Sequence, residues 1–214
     1  EVDGNERVLE TLYSALADKR TEVAQNAAAS LETLEADELQ RRALDDDDVP
    51  AALKSSIADT LAEDGDDASK MAGLRYMADN ASGRPAELAI RSLGELDSEE
   101  SRATVETFLT ANSARKRRVA VDVLLELGDA DSLEAIGEAI EEVDDSAALE
   151  RAGYELMMAQ SLSTITDLTG SSQDVVKRLA FRALGERAVE EGAGQKVFDR
   201  LVDGTKSRDD GIRA

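Results

Sequence analysis

The sequence contains no cysteine, no histidine and no tryptophan. Without cysteine the chain can form neither a disulfide framework nor a thiolate metal site, and it has no thiol nucleophile. Without histidine it lacks the commonest general base and the commonest transition-metal ligand. Aromatic residues make up only 3% of the chain, which disfavours platforms that bind single-stranded nucleic acid by stacking on its bases. These absences remove most of the familiar catalytic constellations.

Long apolar runs are also missing, and none approaches the roughly 18 residues that a transmembrane helix requires. We therefore expect no membrane contact and a cytoplasmic location. The residues indicate no cofactor and no metal site. The oligomeric state stays open.

Charge of one sign dominates instead. The 214 residues include 47 acidic and 25 basic side chains, and the formal net charge is −22. Only 7 of the basic residues are lysines, whereas 24 of the acidic residues are aspartates. Abundant aspartate with scarce lysine resembles the proteins of salt-in halophiles, notably haloarchaea, in which carboxylates keep a highly charged chain soluble. The alternative is an ordinary acidic helical protein.

The segment 115–140 predicts a helix, a tight turn and a second helix. The apolar residues of the first helix recur at steps of three and four, as in an amphipathic helix: Val119, Val123, Leu124 and Leu127. Gly128 suits the position after a helix C-terminus, where only glycine enters the left-handed conformation at little cost. We expect Asp131 or Ser132 to cap the second helix. Its apolar stripe is formed by Leu133, Ile136 and Ile140.

This helix pair recurs along the chain. Six leucines at the centre of the second helices, which we call the ruler leucines, follow one another at intervals of 30, 32, 31, 32 and 28 residues: Leu31, Leu61, Leu93, Leu124, Leu156 and Leu184. The residue four before each is small in five of the six cases: Ala27, Ile57, Ala89, Ala120, Ala152 and Ala180. A period near 31 with a fixed leucine and a fixed small residue predicts stacked helix pairs.

The predicted repeats lie near 6–34, 36–63, 66–96, 98–128, 131–159 and 161–188, with an incomplete one at 193–214. No linker divides them, so we predict one repeat domain over 1–214. In the first helix of repeat one we expect Val8, Leu9, Leu12 and Leu16 to be the apolar residues. The last residues, 211–214, are typical of the start of another helix, and we interpret the chain as a processed or truncated piece of a longer array.

Four consecutive aspartates, Asp45 to Asp48, precede Pro50. They are compatible with a divalent-ion site, but no glycine or distal glutamate completes a calcium loop. The other interpretation is a solvated turn whose last aspartate caps the helix that Pro50 opens. The sequence favours the turn.

The repeats resemble HEAT repeats, specifically the short HEAT-like type of the phycobilin (PBS) lyase group. The segments that carry the resemblance are LAIRSLGEL at 88–96, VDVLLELGDADSLEAI at 121–136 and RLAFRALGE at 178–186. The resemblance implies an all-α, right-handed superhelix of about six and a half helix pairs, whose second helices line a concave face. Such families bind proteins, sometimes bind nucleic acid, and in a few branches catalyse reactions.

The catalytic branches of this resemblance fit the residues poorly. HEAT-type hydroxylases bind iron through histidine and glutamate pairs, and this chain has no histidine. HEAT-like glycosylases rely on tryptophan in a basic groove, and this chain has no tryptophan and is strongly acidic. We therefore predict a non-catalytic scaffold or regulatory adaptor that binds a protein partner. The alternatives are an accessory subunit of a lyase-like enzyme and a nucleic-acid-associated protein.

The predicted partner site is a stripe of arginines on the concave face. Positions two, six and nine residues before each ruler leucine lie roughly opposite the buried side of the second helix. In repeats one and two they hold uncharged or acidic residues, such as Gln25 and Ala29. In repeats three to six they hold the acidic residues Glu87, Asp122 and Glu150 and the candidate partner-binding residues Arg84, Arg91, Arg115, Arg118, Tyr154, Arg178 and Arg182.

Arginine suits an acidic partner because its planar guanidinium binds carboxylates through two hydrogen bonds. The other interpretation is that these arginines pair with carboxylates four residues away, as in Glu87–Arg91 and Arg118–Asp122. Nucleic acid is the third interpretation, and the net acidity counts against it.

The halophilic composition predicts that salt stabilises the fold, because carboxylate repulsion is screened as ionic strength rises. Between about 0.1 M and about 3 M potassium chloride, we expect the melting temperature to rise by about 5 °C or more, equivalent to about 2 kcal/mol for a chain of this size. Circular dichroism at the two salt concentrations measures the change. An unchanged melting curve would indicate an ordinary acidic protein.

Overall fold

A computed structural model describes residues 4–144, 146–191, 194–207 and 212. Within these residues all regular structure is helical, and no strand occurs. None of the described helices is both long enough and apolar enough to cross a membrane. The helices are α1 (Gly4–Ala15), α2 (Thr21–Thr33), α3 (Asp37–Asp45), α4 (Ala51–Asp64), α5 (Asp67–Asn80), α6 (Arg84–Glu95), α7 (Glu99–Thr107), α8 (Ala114–Leu127), α9 (Ser132–Glu142), α10 (Ala147–Ala159), α11 (Leu162–Leu168), α12 (Asp174–Glu191) and α13 (Gln195–Gly204), with a short 3-10 helix at Phe108–Thr110.

The helices pack in the alternating manner of a helical repeat. The two helices of five predicted pairs contact each other: α1 and α2, α3 and α4, α5 and α6, α9 and α10, and α11 and α12. In the fourth pair the 3-10 helix that follows α7 contacts α8, and α13 begins a seventh repeat. Contacts also join corresponding helices of successive pairs: α2 to α4 and α3 to α5, and further along the chain α8 to α10 and α10 to α12. The predicted all-α fold of stacked helix pairs is thus confirmed.

The chain divides into two compact units, 1–104 and 105–214. The first contains α1 to α6 and the second contains α8 to α13. That 1–214 forms one repeat domain stays a prediction.

The ruler leucines hold each unit together. All six are buried, with at most 1% of the residue exposed, and the small residues four positions earlier are buried beside them. In α8, Ala120 and Leu124 both have 0% exposure. A leucine fills the space between helices while a small residue one turn away lets the next helix approach closely. The spacing of the ruler leucines in the sequence is therefore also the spacing at which buried side chains recur in the core.

Gly128 ends α8 as predicted. Its backbone is left-handed, with φ 68° and ψ 16°, and its N–H donates to the Leu124 carbonyl over 3.1 Å. This conformation is strained for residues with a side chain and free of strain for glycine. The turn between α8 and α9 therefore depends on this glycine.

The predicted cap at the start of α9 is wrong. Asp131 occupies the N-cap position, but its backbone is already helical and its side chain makes no capping hydrogen bond. Its N–H instead binds the carboxylate of Asp129. Ser132 is buried, and its hydroxyl donates to Oε1 of Glu106 over 2.9 Å. Ser132 thus links α9 to α7 within the second unit.

Two apolar residues lie outside the core that the sequence predicts for them. Val8 is 53% exposed, and Leu127 is 36% exposed. Leu127 is the last residue of α8, where the chain turns away at Gly128. In α1 the buried residue is Tyr13, whose hydroxyl reaches a partner in the next repeat.

The aspartate run forms a hydrogen-bonded turn. Asp46 accepts the Tyr13 hydroxyl at 2.7 Å and the backbone N–H of Asp48 at 3.0 Å. The predicted cap by Asp48 is wrong, because Pro50 itself occupies the N-cap position of α4 and no side chain caps that helix. Among the described residues, no group of three or more carboxylates is arranged to hold a metal ion.

The C-terminal elements extend a little beyond the predicted repeats. Helix α12 continues to Glu191, three residues past the predicted end of repeat six, and α13 follows at Gln195–Gly204. The helix start expected at 211–214 lies outside the described residues, apart from residue 212.

Two leucine-to-alanine substitutions in α8 test whether the ruler leucine of that helix belongs to the core. Leu124→Ala should lower the free energy of unfolding by 2–5 kcal/mol, roughly, because it leaves a cavity in a fully buried site. Leu127→Ala, on the same helix but 36% exposed, should cost less than about 1 kcal/mol. Chemical denaturation at constant salt measures both values. Equal losses in the two variants would contradict the assignment of Leu124 to the core.

Candidate functional site

A groove runs between α10 and α12 in the second unit. It has a volume of about 440 Å³ and contains an apolar floor beneath a cationic rim. Val175 and Leu179 form the floor, and both are buried. The rest of the lining is formed by Ala147, Glu150, Arg151, Tyr154, Arg178 and Arg182.

The two helices lie close together because α10 carries a glycine where they meet. A Cβ atom on Gly153 would lie 3.0 Å from Cδ1 of Leu179 and 3.2 Å from Cγ2 of Ile136. These contacts are tighter than ordinary packing distances. Gly153 therefore sets the spacing of α10 and α12, and with it the width of the groove.

The helical period places the polar side chains away from the core. On α12, Arg178 and Arg182 are four residues apart and exposed, whereas Ala180 and Leu184 are buried. On α10, Tyr154 lies two residues before the buried Leu156 and is half-buried. Residues four apart share one face of a helix, so α12 presents two guanidinium groups to the groove.

Tyr154, Arg182 and Glu186 form a connected cluster at one end of the groove. The guanidinium carbon of Arg182 lies 4.0 Å from the centre of the Tyr154 ring, which is the geometry of a cation–π contact. Nε of Arg182 lies 3.7 Å from Oε1 of Glu186. This carboxylate is more than half exposed, so its ion pair with Arg182 contributes little to stability.

The cluster keeps the Tyr154 hydroxyl un-ionised. Burial, the largest cause, and the nearby Glu186 carboxylate together raise the pKa of Tyr154 from 10.0 to about 12, although Arg182 acts to lower it. A phenolate beside a carboxylate in a partly dry site is unfavourable. At neutral pH Tyr154 therefore has a proton to donate.

The structure brings three of the seven predicted residues into this groove: Tyr154, Arg178 and Arg182. Arg115 and Arg118 lie exposed on α8, outside the groove lining. Arg84 and Arg91 lie on α6, in the first unit.

The alternative pairing of Arg118 with Asp122 is not formed. Among the described residues, Arg118 has no carboxylate oxygen within 4.0 Å.

Sequence reasoning missed Arg151 and the floor residue Leu179, and it did not single out Val175, although Val175 lies nine residues before Leu184 at one of the chosen offsets. Arg151 lies on α10 three residues before Tyr154, so it shares the face of Tyr154. It lies five residues before Leu156, a position that the three chosen offsets omit. Leu179 has the same offset from Leu184. Including the fifth position before each ruler leucine would have found both residues.

The first unit contains a second Arg–Tyr contact. The guanidinium carbon of Arg42 lies 4.3 Å from the centre of the Tyr13 ring, and Tyr13 donates to Asp46. Burial and the Asp46 carboxylate raise the pKa of Tyr13 to about 12. Here the tyrosine is buried, so the contact connects α1 to α3 and does not line an open groove.

A wider groove of about 1180 Å³ lies along α3, α5 and the start of α4 in the same unit. Its charged lining mixes both signs: Arg41, Arg42, Lys54 and Arg75 with Glu38, Asp45, Asp47, Asp48, Asp79 and Glu100. Because positive and negative side chains are mixed along this groove, it favours neither an anionic nor a cationic ligand. The α10–α12 groove differs because three of its four charged residues are arginines.

No protein-family model and no curated protein sequence matches the chain. Two engineered proteins whose crystal structures come from the Northeast Structural Genomics Consortium are similar in structure. One has 15% sequence identity and a TM-score of 0.38, with 96% of this chain and 66% of that chain covered. The other has 16% identity and a TM-score of 0.28, with 96% and 92% covered. The chain thus spans about two thirds of the first of them.

The cluster of Tyr154, Arg182 and Glu186 predicts that substituting Arg182 or Glu186 shifts the pKa of Tyr154. In a Tyr13→Phe background, Glu186→Gln should lower the pKa of Tyr154 from about 12 toward 10.0, and Arg182→Gln should raise it. The raised pKa stabilises the fold below pH 10, and this contribution is lost as the pH rises through 12. Phenolate absorbance against pH measures the shift. The same variants in denaturant should all titrate at the ordinary value, and a folded Glu186→Gln protein with an unchanged pKa would contradict the cluster.

Proposed function

We propose that the chain is a non-catalytic protein-binding scaffold that binds an acidic segment of a partner in the α10–α12 groove. One observation carries this proposal. On a chain with a net charge of −22, Arg151, Arg178 and Arg182 converge on a single groove with an apolar floor. Local positive charge on an acidic protein selects acidic ligands by direct contact.

The groove chemistry suits a segment in which acidic and apolar residues alternate. The planar guanidinium groups of Arg178 and Arg182 can each bind a carboxylate through two hydrogen bonds. Val175 and Leu179 offer buried apolar surface between them. Carboxylates therefore meet the rim while an apolar side chain reaches the floor.

The groove residues are suited to binding and not to acid–base catalysis. Arginine stays protonated in proteins, and a tyrosine with a pKa of about 12 is not a base at neutral pH. The carboxylate of Glu150 is exposed and accepts the Ser146 hydroxyl at 3.3 Å. These properties support the scaffold over the lyase-like alternative.

Three further assignments belong to the same proposal. The repeat pattern and the alternating helix contacts support membership of the HEAT-like repeat group. The aspartate-rich, lysine-poor composition supports a salt-adapted protein of the cytoplasm. In such a medium the Debye length is only a few Å, so binding would depend on direct arginine contacts and not on long-range attraction.

A labelled peptide of about 12 residues with alternating glutamate and leucine, long enough to extend past the groove, tests the proposal by fluorescence anisotropy in about 2 M potassium chloride. The Arg178→Glu/Arg182→Glu double variant should weaken binding by at least about 30-fold, because each substitution removes a charge pair and adds a repulsive charge. A peptide with glutamine in place of glutamate should bind weakly to the wild-type protein.

The matched control is Arg7→Glu/Arg200→Glu, which changes the net charge equally at exposed positions outside the groove. This variant should keep the affinity within about twofold. Equal weakening in both double variants would show a general charge effect and contradict the groove. If single-stranded DNA displaces the peptide and itself depends on Arg178 and Arg182, the groove is a nucleic-acid site.

A further inference from the structure

Neighbouring second helices bring the same two positions of the repeat together in both units. A groove between α2 and α4, over the buried Gln40 of α3, has a volume of about 260 Å³, and its lining includes Gln25 and Ser56. The lining of the α10–α12 groove includes Glu150 and Leu179. Each of these pairs joins the residue six before one ruler leucine to the residue five before the next.

The same spacing places two arginines together between α8 and α10. These helices contact each other within the second unit, and the residues at the two positions are Arg118 and Arg151. Both residues are exposed, and neither has a carboxylate oxygen within 4.0 Å in the part of the chain that the structure describes. We call the surface between them the α8–α10 surface. Two positive charges therefore meet there on a chain of net charge −22.

Two neighbouring guanidinium groups attract an anion. Like charges on adjacent helices repel each other. A carboxylate between them relieves the repulsion and accepts charge-assisted hydrogen bonds from both groups. The corresponding pairs in the two grooves, Gln25 with Ser56 and Glu150 with Leu179, contain no arginine. The α8–α10 surface therefore differs from both grooves in attracting a carboxylate at this position.

Arg151 connects the α8–α10 surface to the α10–α12 groove. It lines that groove together with Arg178 and Arg182, and its place in the repeat turns it toward Arg118. A segment whose carboxylates bind in the groove therefore reaches the α8–α10 surface by crossing α10. Packed helix axes lie about 10 Å apart, so α12 and α8 are separated by about 20 Å, which an extended chain covers in about six residues.

We infer that the acidic segment bound in the α10–α12 groove continues across α10, and that a further carboxylate of the same segment binds between Arg151 and Arg118. This inference rests on the proposed function. The partner then contains an extended acidic segment with carboxylates about six residues apart, one at Arg178 and Arg182 and one at the α8–α10 surface. An acidic motif too short to leave the groove lacks the second contact.

Two labelled peptides of about 12 residues test the inference by fluorescence anisotropy in about 2 M potassium chloride. One alternates glutamate and leucine throughout. The other, the half-acidic peptide, has glutamine in place of glutamate beyond its first four residues, which span only about 13 Å. Arg118→Gln should weaken binding of the fully acidic peptide by at least about tenfold, because a charge-assisted contact is lost. It should leave the affinity for the half-acidic peptide within about twofold.

The matched control is Arg200→Gln, which removes the same charge at an exposed position of α13 outside the groove. It should leave both affinities within about twofold. Arg118→Lys keeps the charge but loses the planar fork, so its affinity for the fully acidic peptide should lie between those of the wild-type chain and Arg118→Gln. Because Arg118 is exposed, both of its variants should melt at the wild-type temperature by circular dichroism.

The inference is overturned if Arg118→Gln binds the fully acidic peptide as tightly as Arg200→Gln does. Equal weakening of the two peptides by Arg118→Gln also overturns it. If binding still depends on Arg178 and Arg182 in either case, the groove of the proposed function stands and its extension to α8 alone fails. If neither peptide binds the wild-type chain, the proposed function itself fails, and the inference fails with it.

Discussion

The contact between a leucine and a small residue one turn before it is the constraint on which the whole molecule depends. Five such pairs recur along the second helices, Leu61 follows the larger Ile57 instead, and all of these residues are buried. The leucine supplies the apolar area that stabilises each helix pair, and the small residue permits close approach of the next helix.

This constraint leaves the rest of each second helix free to differ. In the first unit, the surface between α2 and α4 is built of alanine, hydroxyl and amide groups, with one buried glutamine beneath. In the second, the surface between α10 and α12 is built of arginines and a tyrosine over an apolar floor. The same packing rule thus supports two grooves of different chemistry, as expected when neighbouring repeats share only their interfaces.

The fold was predictable because its signal is periodic and local. The ruler leucines, the small residues before them and the left-handed Gly128 all follow from spacing and residue type. The start of α9 was not predictable from the sequence, because the backbone of Asp131 continues into the helix. Ser132 instead makes a hydrogen bond with Glu106, 26 residues earlier. Contacts between distant residues leave no mark in the periodicity.

The candidate site, like the fold, was predictable where helical spacing decides and not where contacts between distant residues decide. Helical spacing correctly placed Tyr154, Arg178 and Arg182 on the outward side of their helices, which is enough to nominate them. It could not show that Arg182 stacks on Tyr154, that Gly153 sets the distance between two helices, or that Gln40 is buried beneath a groove formed by other helices. Those facts depend on which helix lies beside which, and on side-chain volumes at the contact.

The stack of Arg182 on Tyr154 has a consequence for how tightly a ligand can be held. Arginine is among the side chains that lose most rotational freedom when they are fixed. In this groove the aromatic ring and Glu186 already restrict the guanidinium of Arg182. That entropy is lost when the chain folds and not when a partner arrives, so the preorganised arginine leaves a larger share of each contact available as affinity.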